Sequence, residues 1–415
     1  MSAIPQEFYR AVPKTDLHVH LDGSLRLSSL IPMAKQMGVA LPSQSVAGLR
    51  ELVFKPRYGS LGEYLRGFDY TVAVLQQEDT LKQAAYELAE DNQLEGVRYL
   101  EVRFAPQLHT HVGFDIVHVL KAVNDGLKQA RDRFNAREAV QSGAEPPFEY
   151  GIICCAMRMF HAGFSAYFQS LLQAHRFSPP KEVYRLASLE LARAAVAARD
   201  EHDLPIVGFD LAGEEAGYPA GDHNEAFVLA HKHFLKKTVH AGEAYGPESI
   251  FQAITACHAE RIGHGTFLLE PNAITDASIA DKEQYVEQIG QFIADRRITL
   301  EVCLSSNLQT NPALESLDQH SFKKLRSHRL STTICTDNRT VSDTTVSQEL
   351  ERAVSSTGMS RRELKSIIIY GFKRSFFPGS YLRKRAYVRQ VIDYYAAIEQ
   401  RFFGDALPTP AFEGP

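Results

Sequence analysis

Short apolar, β-branched runs recur along this chain and alternate with longer segments of helical spacing. The runs predict strands at 14–21, 97–105, 150–157, 206–211, 237–240, 261–263, 299–305 and 332–336. Between them, 80–94, 183–199, 224–234, 248–258 and 282–296 carry apolar residues at helical intervals. Strand and helix in alternation imply a parallel sheet, whose strands are covered on both faces and so read as continuously apolar. Eight such units fit a closed α/β barrel, a (β/α)8 TIM barrel with extra helices capping one end. A doubly wound open sheet is the competing architecture, but no Gly-x-Gly-x-x-Gly turn follows an early strand. Residues 42–66 read as a loop with short helices over one end. Residues 137–148 (REAVQSGAEPPF) read as a polar surface loop, and the Pro-containing tail, about 404–415, as loosely held. With no repeat or low-complexity tract, 1–415 is expected to be a single domain.

Composition narrows the function classes. The 415 residues are 44% hydrophobic and 23% charged, with a formal net charge of −5, ordinary values for a soluble globular chain. No basic block stands out, so nucleic acid and anionic membranes are not expected partners. No run reaches the roughly 18 apolar residues of a membrane span. The N-terminus lacks a signal-peptide core. The five cysteines are few, odd in number and set in apolar or helix-like segments, which suits a reducing compartment. A cytoplasmic location is expected.

Chemistry-bearing residues cluster where the predicted strands end. His18 and His20 lie two apart, on one side of a strand, with Asp22 just beyond. The fourth strand ends in Asp-Leu-Ala-Gly213-Glu, the fifth in His240-Ala-Gly-Glu243, the sixth in Gly-His264-Gly and the eighth in Asp337-Asn338. Singly, each fits a structural role: a core imidazole for His240, a turn for His264, a helix N-cap for Asp337, a solvated loop acid for Glu243. In a barrel, however, all strand C-termini meet at one face, where active sites sit. His18, His20 and His240 then offer three nitrogens and Asp337 a carboxylate, with room for water. That open, nitrogen-rich set suits Zn²⁺ best, with Fe²⁺, Co²⁺ or Mn²⁺ as substitutes. Glu243, not needed as a ligand, is free to donate a proton.

The motifs HVHLDGS, DLAGEE, HAGE, RIGHG, SSN and TDN, in that order from Lys14 to Asn338, closely resemble the adenosine deaminase family of metal-dependent hydrolases. The resemblance implies a (β/α)8 barrel with one zinc per chain that hydrolyses the 6-amino group of adenine-type purines. It implies that His18, His20, His240 and Asp337 hold the metal. Glu243 would protonate purine N1. His264 would orient the attacking hydroxide, and Asp337 would accept a hydrogen bond from it. His20, Asp22, Gly213 and Asn338 would contact substrate, Gly213 through its backbone at N3 and Asp22 at a ribose hydroxyl. The segment Tyr64–Phe68 resembles the family's lid.

Two positions depart from the family pattern. A second aspartate after the eighth strand usually contacts purine N7; here it is Asn338, followed by Arg339. An asparagine amide can donate directly to N7, so adenine recognition is expected to survive. Leu304 stands where proline is usual. The expected partner is a small purine nucleoside, adenosine or 2′-deoxyadenosine, with the choice between monomer and homo-oligomer left open. Adenine, N6-methyl-AMP and aminodeoxyfutalosine are the alternative substrates, with Arg66 or Arg339 as candidate phosphate-binding cations. A cytidine-type deaminase is excluded by the missing Pro-Cys-x-x-Cys signature. A two-metal amide or phosphoester hydrolase lacks its bridging lysine at the fourth strand. A non-catalytic binding barrel would have no reason to keep Glu243 and every ligand.

Overall fold

A computed structural model describes residues 4–408 apart from Ser60 and Pro312. Eight strands form one parallel sheet in sequential order: β1 Lys14–His20, β2 Val97–Phe104, β3 Glu149–Met157, β4 Ile206–Ala212, β5 Lys236–Ala241, β6 Arg261–His264, β7 Thr299–Val302 and β8 Thr332–Ile334. Their residues are buried almost throughout, as the continuous apolar runs require. The barrel closes through a parallel bridge between Val19 and Asp337. There the His20 amide donates to Asp337 O at 2.7 Å and the Asp337 amide to His18 O at 2.8 Å. Closure therefore falls on the residues of the site, fixing the β1 histidines against the end of β8.

All eight strands occur where the sequence places them, and two end early. β7 stops at Val302 because Leu304–Thr310 turns into a helix. The Ser305 amide donates to Glu349 Oε2 at 3.1 Å instead of to a neighbouring strand. β8 stops at Ile334 because the Thr336 amide is taken by the side chain of Asp16, at 3.3 Å.

The five expected helices are present as Glu78–Leu94, Pro180–Asp200, Asn224–Lys232, Pro247–Ala256 and Lys282–Arg296. The 42–66 segment carries helix Val46–Leu52 and the start of helix Leu61–Val74. It is anchored over the strand C-termini by Tyr58, whose hydroxyl donates to Val341 O at 3.1 Å. The 137–148 segment is less of a surface loop than its polarity suggests. It contains a short helix, Glu138–Gln141, and buries Val140, Glu145 and Phe148, with Glu145 paired to Arg98 and Arg137. Helices Arg361–Arg374 and Tyr381–Phe403 close the chain against the other end of the barrel. Just past them, Asp405 pairs with Arg361 at 2.7 Å and Leu407 O accepts from Lys365 Nζ at 2.5 Å. The rest of the expected loose tail, 409–415, lies outside the described residues. All five cysteines are buried free thiols. Among the described residues, no helix is long and apolar enough to cross a membrane.

Candidate active site

The strand C-termini bring four imidazoles and a carboxylate together. One ligand atom each from His18, His240, His264 and Asp337 lie within 4.8 Å of one another, all four residues buried. His20 joins them. Its Nε2 is 3.2 Å from His240 Nε2 and 3.4 Å from Asp337 Oδ1, and His18 Nε2 is 3.4 Å from the same oxygen. Two features mark this as a metal centre. His18 Nε2 is buried with no hydrogen-bond partner among the described residues, and nitrogen lone pairs facing one another cost free energy unless a cation sits between them. The far nitrogens of two rings are held by carboxylates, His18 Nδ1 by Glu301 Oε2 at 2.8 Å and His240 Nδ1 by Asp210 Oδ2 at 3.1 Å. That is the outer bracing which directs metal-binding imidazoles.

Arg103 joins the two braces. Fully buried on β2, it donates to Asp210 Oδ2 and to Glu301 Oε2, each at 2.8 Å, and to Leu17 O at 2.7 Å. Arg261 adds a bond to Glu301 Oε1 at 2.6 Å, and Thr238 another at 2.9 Å. Gly263 leaves the space these rings need. A Cβ there would sit 3.0 Å from His18 Cε1 and 3.2 Å from His240 Cα. His264 (φ 67°) and Asp337 (φ 62°) adopt left-handed backbone conformations, which non-glycine residues hold at a cost, typically where function demands it.

The proton on His264 is placed by a relay the sequence does not announce. The Phe322 amide donates to His320 Nδ1 at 3.0 Å, so the neutral ring carries its proton on Nε2. That nitrogen meets Asn307 Oδ1 at 3.2 Å, which turns Asn307 Nδ2 onto His264 Nδ1 at 3.0 Å. His264 Nδ1 is thus an acceptor, and its Nε2–H faces the site. Burial keeps both rings neutral, lowering His320 to about 4 and His264 well below the ordinary imidazole value.

Glu243 stands across from this group, with Oε2 3.8 Å from His264 Nε2. Burial, assisted by the charge of Asp337, pushes its carboxyl up to about 8, so it is a protonated acid at neutral pH. Its loop is organised by Glu215, which sequence reasoning missed. The Glu215 carboxylate accepts from the amides of Gly242 (2.9 Å), Glu243 (3.1 Å), Ala244 (2.7 Å) and Tyr245 (3.1 Å). Glu215→Ala is expected to free this loop and lower kcat/KM by about 10²-fold with the metal retained. Steady-state kinetics with metal analysis checks this, and unchanged kinetics would show that the loop holds itself.

The remaining expected residues follow strand ends at the same end of the barrel. Asp22 is buried, with Oδ1 unpartnered among the described residues and a carboxyl that burial raises to about 7. Gly213 follows β4 with φ 99°, a left-handed turn that glycine adopts freely. Asn338 Nδ2 donates to Tyr64 OH at 2.7 Å, and that hydroxyl also meets Ser342 Oγ at 3.0 Å. Helix Leu61–Val74 is therefore tied to the residue expected to read N7. Asn338 fits only because position 23 is glycine, since a Cβ there would fall 1.8 Å from its Oδ1. Arg339 is not available to a ligand. It is buried and paired with Glu95 and Asn92.

A parallel barrel with a histidine–carboxylate metal group and a buried acid at its mouth defines a metal-dependent hydrolase. The family model described as "Adenosine deaminase" matches residues 13–394. The adenosine deaminase of Mycobacterium marinum is 36% identical over 369 residues, 88% of this chain and 91% of its own length. Adenosine deaminase 1 of Streptomyces coelicolor is 35% identical over 371 residues, 89% of this chain and 84% of its own. Among solved structures, an Arabidopsis N6-mAMP deaminase superposes with a TM-score of 0.69 at 25% identity, over 93% of this chain and 99% of that one. The adenine deaminase of Arthrobacter aurescens shares the fold, with a TM-score of 0.69 at 22% identity over 92% and 99%. The chain belongs to the adenosine deaminase family and is a hydrolase acting on carbon–nitrogen bonds.

Proposed function

We propose that this enzyme deaminates adenosine and 2′-deoxyadenosine with water, releasing inosine, 2′-deoxyinosine and ammonia, in the cytoplasm and with one Zn²⁺ per chain. The observation that carries the reading is the Glu243 carboxyl, 3.8 Å from His264, beside a ring of imidazoles closed on Asp337. His18, His20, His240 and Asp337 would hold the ion, which supplies a Lewis acid able to lower the pKa of water from about 15.7 to near 7. Glu243 gives its proton to N1, drawing electrons from C6 and making that carbon an acceptor for oxygen. His264, with its Nε2 proton held toward the site by the relay, orients the attacking oxygen, and Asp337 accepts a hydrogen bond from it. The C6–N bond then breaks as the amino group takes one proton of the attacking water and leaves as ammonia, the other water proton returning to Glu243 and the oxygen staying on C6 as the carbonyl.

The remaining contacts set the substrate. Gly213 offers backbone to N3. Asn338 has a second amide hydrogen for N7 beyond the one given to Tyr64. His20 and Asp22 lie on the sugar side, and the unpartnered Asp22 oxygen favours a nucleoside over free adenine. With Arg339 committed to Glu95, it offers no charge to a phosphate, which favours nucleosides over nucleotides. No role for nucleic acid or membrane follows from the site.

The test is an ultraviolet assay of adenosine, 2′-deoxyadenosine, adenine and AMP. Both nucleosides are expected to lose the adenosine band. A strong chelator should abolish the reaction, and Zn²⁺ should restore it. Faster turnover of adenine or AMP, or no turnover of any of the four, would overturn the assignment.

A further inference from the structure

At the opposite end of the barrel lies a cavity of about 630 Å³. It is framed by the starts of β5 and β6, the residues leading into β7 and the two C-terminal helices. Lys236, Arg296, Arg297, Lys373, Arg374 and Lys384 line it, and Glu260 is the only acid among the described lining residues. Lys236 is paired with that acid at 2.7 Å. Lys384 has backbone for partners, donating to Lys373 O at 2.9 Å and Ser375 O at 2.6 Å. Arg374 Nε is buried with no hydrogen-bond partner among the described residues, its guanidinium lying 5.9 Å from the centre of the Tyr370 ring. Such crowding is unfavourable: burial, together with the charge of Arg374, lowers Lys373, and burial lowers Lys384 to about 8. The walls also carry apolar surface from Ile254, Ile298 and Phe376. At the rim His231 and His258 stack, ring centroids 4.6 Å apart and planes 20° from parallel.

A chain whose net charge is −5 has gathered excess positive charge into one concave place, where like charges raise the free energy unless an anion joins them. We propose that this cavity is a second small-molecule site that binds a chain of phosphates, carried by a nucleoside di- or triphosphate or by inorganic polyphosphate. Several cations around one concavity match an extended polyanion better than a single carboxylate. The stacked histidines give a planar base a surface to lie on. Because the site bridges the strand N-termini and both C-terminal helices, its ligand holds those helices to the barrel and stabilises the folded chain. It lies away from the mouth that carries His18 and Glu243, so its occupancy is separable from turnover.

The probes are inorganic tripolyphosphate and uridine 5′-triphosphate, whose pyrimidine suits the purine site poorly. Each is titrated by calorimetry into the full-length, metal-loaded enzyme, with Tm followed in parallel. The expected result is saturable one-to-one binding that raises Tm and weakens with added salt. The double variant Lys373→Gln, Arg374→Gln should lose about tenfold in affinity or more with adenosine turnover unchanged. Arg296→Gln, at the exposed end of its helix, does the same if the double variant fails to fold. Tighter binding of the nucleotide assigns a nucleoside phosphate, and equal binding assigns the phosphate chain alone. Absence of saturable binding, or affinity unchanged in the variants, overturns the proposal. Since polyphosphates also chelate metals, the comparison of variants rather than any loss of activity is decisive.

Discussion

Glu243→Gln is expected to leave one tightly held metal per chain and to lower kcat by about 10²–10⁴-fold, the usual worth of a positioned proton donor. The substitution keeps shape and hydrogen-bonding reach, and among the described residues the ion-pair contact of the Glu243 side chain is with His264, outside the expected ligand set. Its loop is fixed through backbone amides on Glu215, which the change does not touch. What disappears is an acidic proton, present at neutral pH because burial raises the carboxyl to about 8, and an amide cannot supply it. KM is expected to move far less than kcat, because the loss falls on the transition state. Metal analysis and steady-state kinetics on the same preparation decide the matter. Full activity would place the proton donor elsewhere, and loss of metal would make Glu243 a ligand.

Glu301→Ala should be the most damaging single change outside the metal ligands. Its carboxylate accepts from His18, Arg103, Arg261 and Thr238, and it is wholly inaccessible to solvent. Removing it strips two buried guanidiniums of a counter-charge and frees the ring of His18. Breaking a buried ion pair from one side typically costs about 3–5 kcal/mol. Loss of an outer partner of a metal-binding imidazole typically weakens the metal by about 10–100-fold. Denaturant unfolding of the metal-free protein measures the first effect, and competition with a chromogenic chelator measures the second. Glu301→Gln separates them, because it restores the shape and part of the bonding but not the charge. A change below about 1 kcal/mol in Glu301→Ala would mean that Glu101, which also pairs with Arg261, carries the balance alone.

The barrel was legible because a parallel strand covered on both faces must be apolar along its length, and eight such runs stand out from amphipathic helices. Strand ends were less so. At β8 the pairing passes from a neighbouring strand to the side chain of Asp16, a switch that hydrophobic pattern does not record. The residues that cluster were legible because they stand at strand ends, as His18, His240, His264 and Asp337 do. Glu215, Asn307 and His320 were not, since each acts through a contact visible only after folding. Arg103 and Glu301 did leave a trace. A charge inside VRYLEVRF or TLEV is out of place in an apolar strand, and such a charge must find an opposite one within the barrel. The 137–148 segment is held more closely than its composition suggests for a related reason. Its polarity suggested solvent, whereas Glu145 is held by the basic side chains of Arg98 and Arg137.

The chain that orients His264 begins at a peptide group. The proton on one nitrogen of His320, the turn of the Asn307 amide and the acceptor face of His264 all descend from the N–H of Phe322. Every amino acid but one carries that N–H, so it is the backbone of the buried Phe322, not its side chain, that fixes which imidazole nitrogen faces the site. Proline alone would cut the chain. The orientation of a reacting group has in this way been delegated to the part of the polypeptide that mutation can least alter.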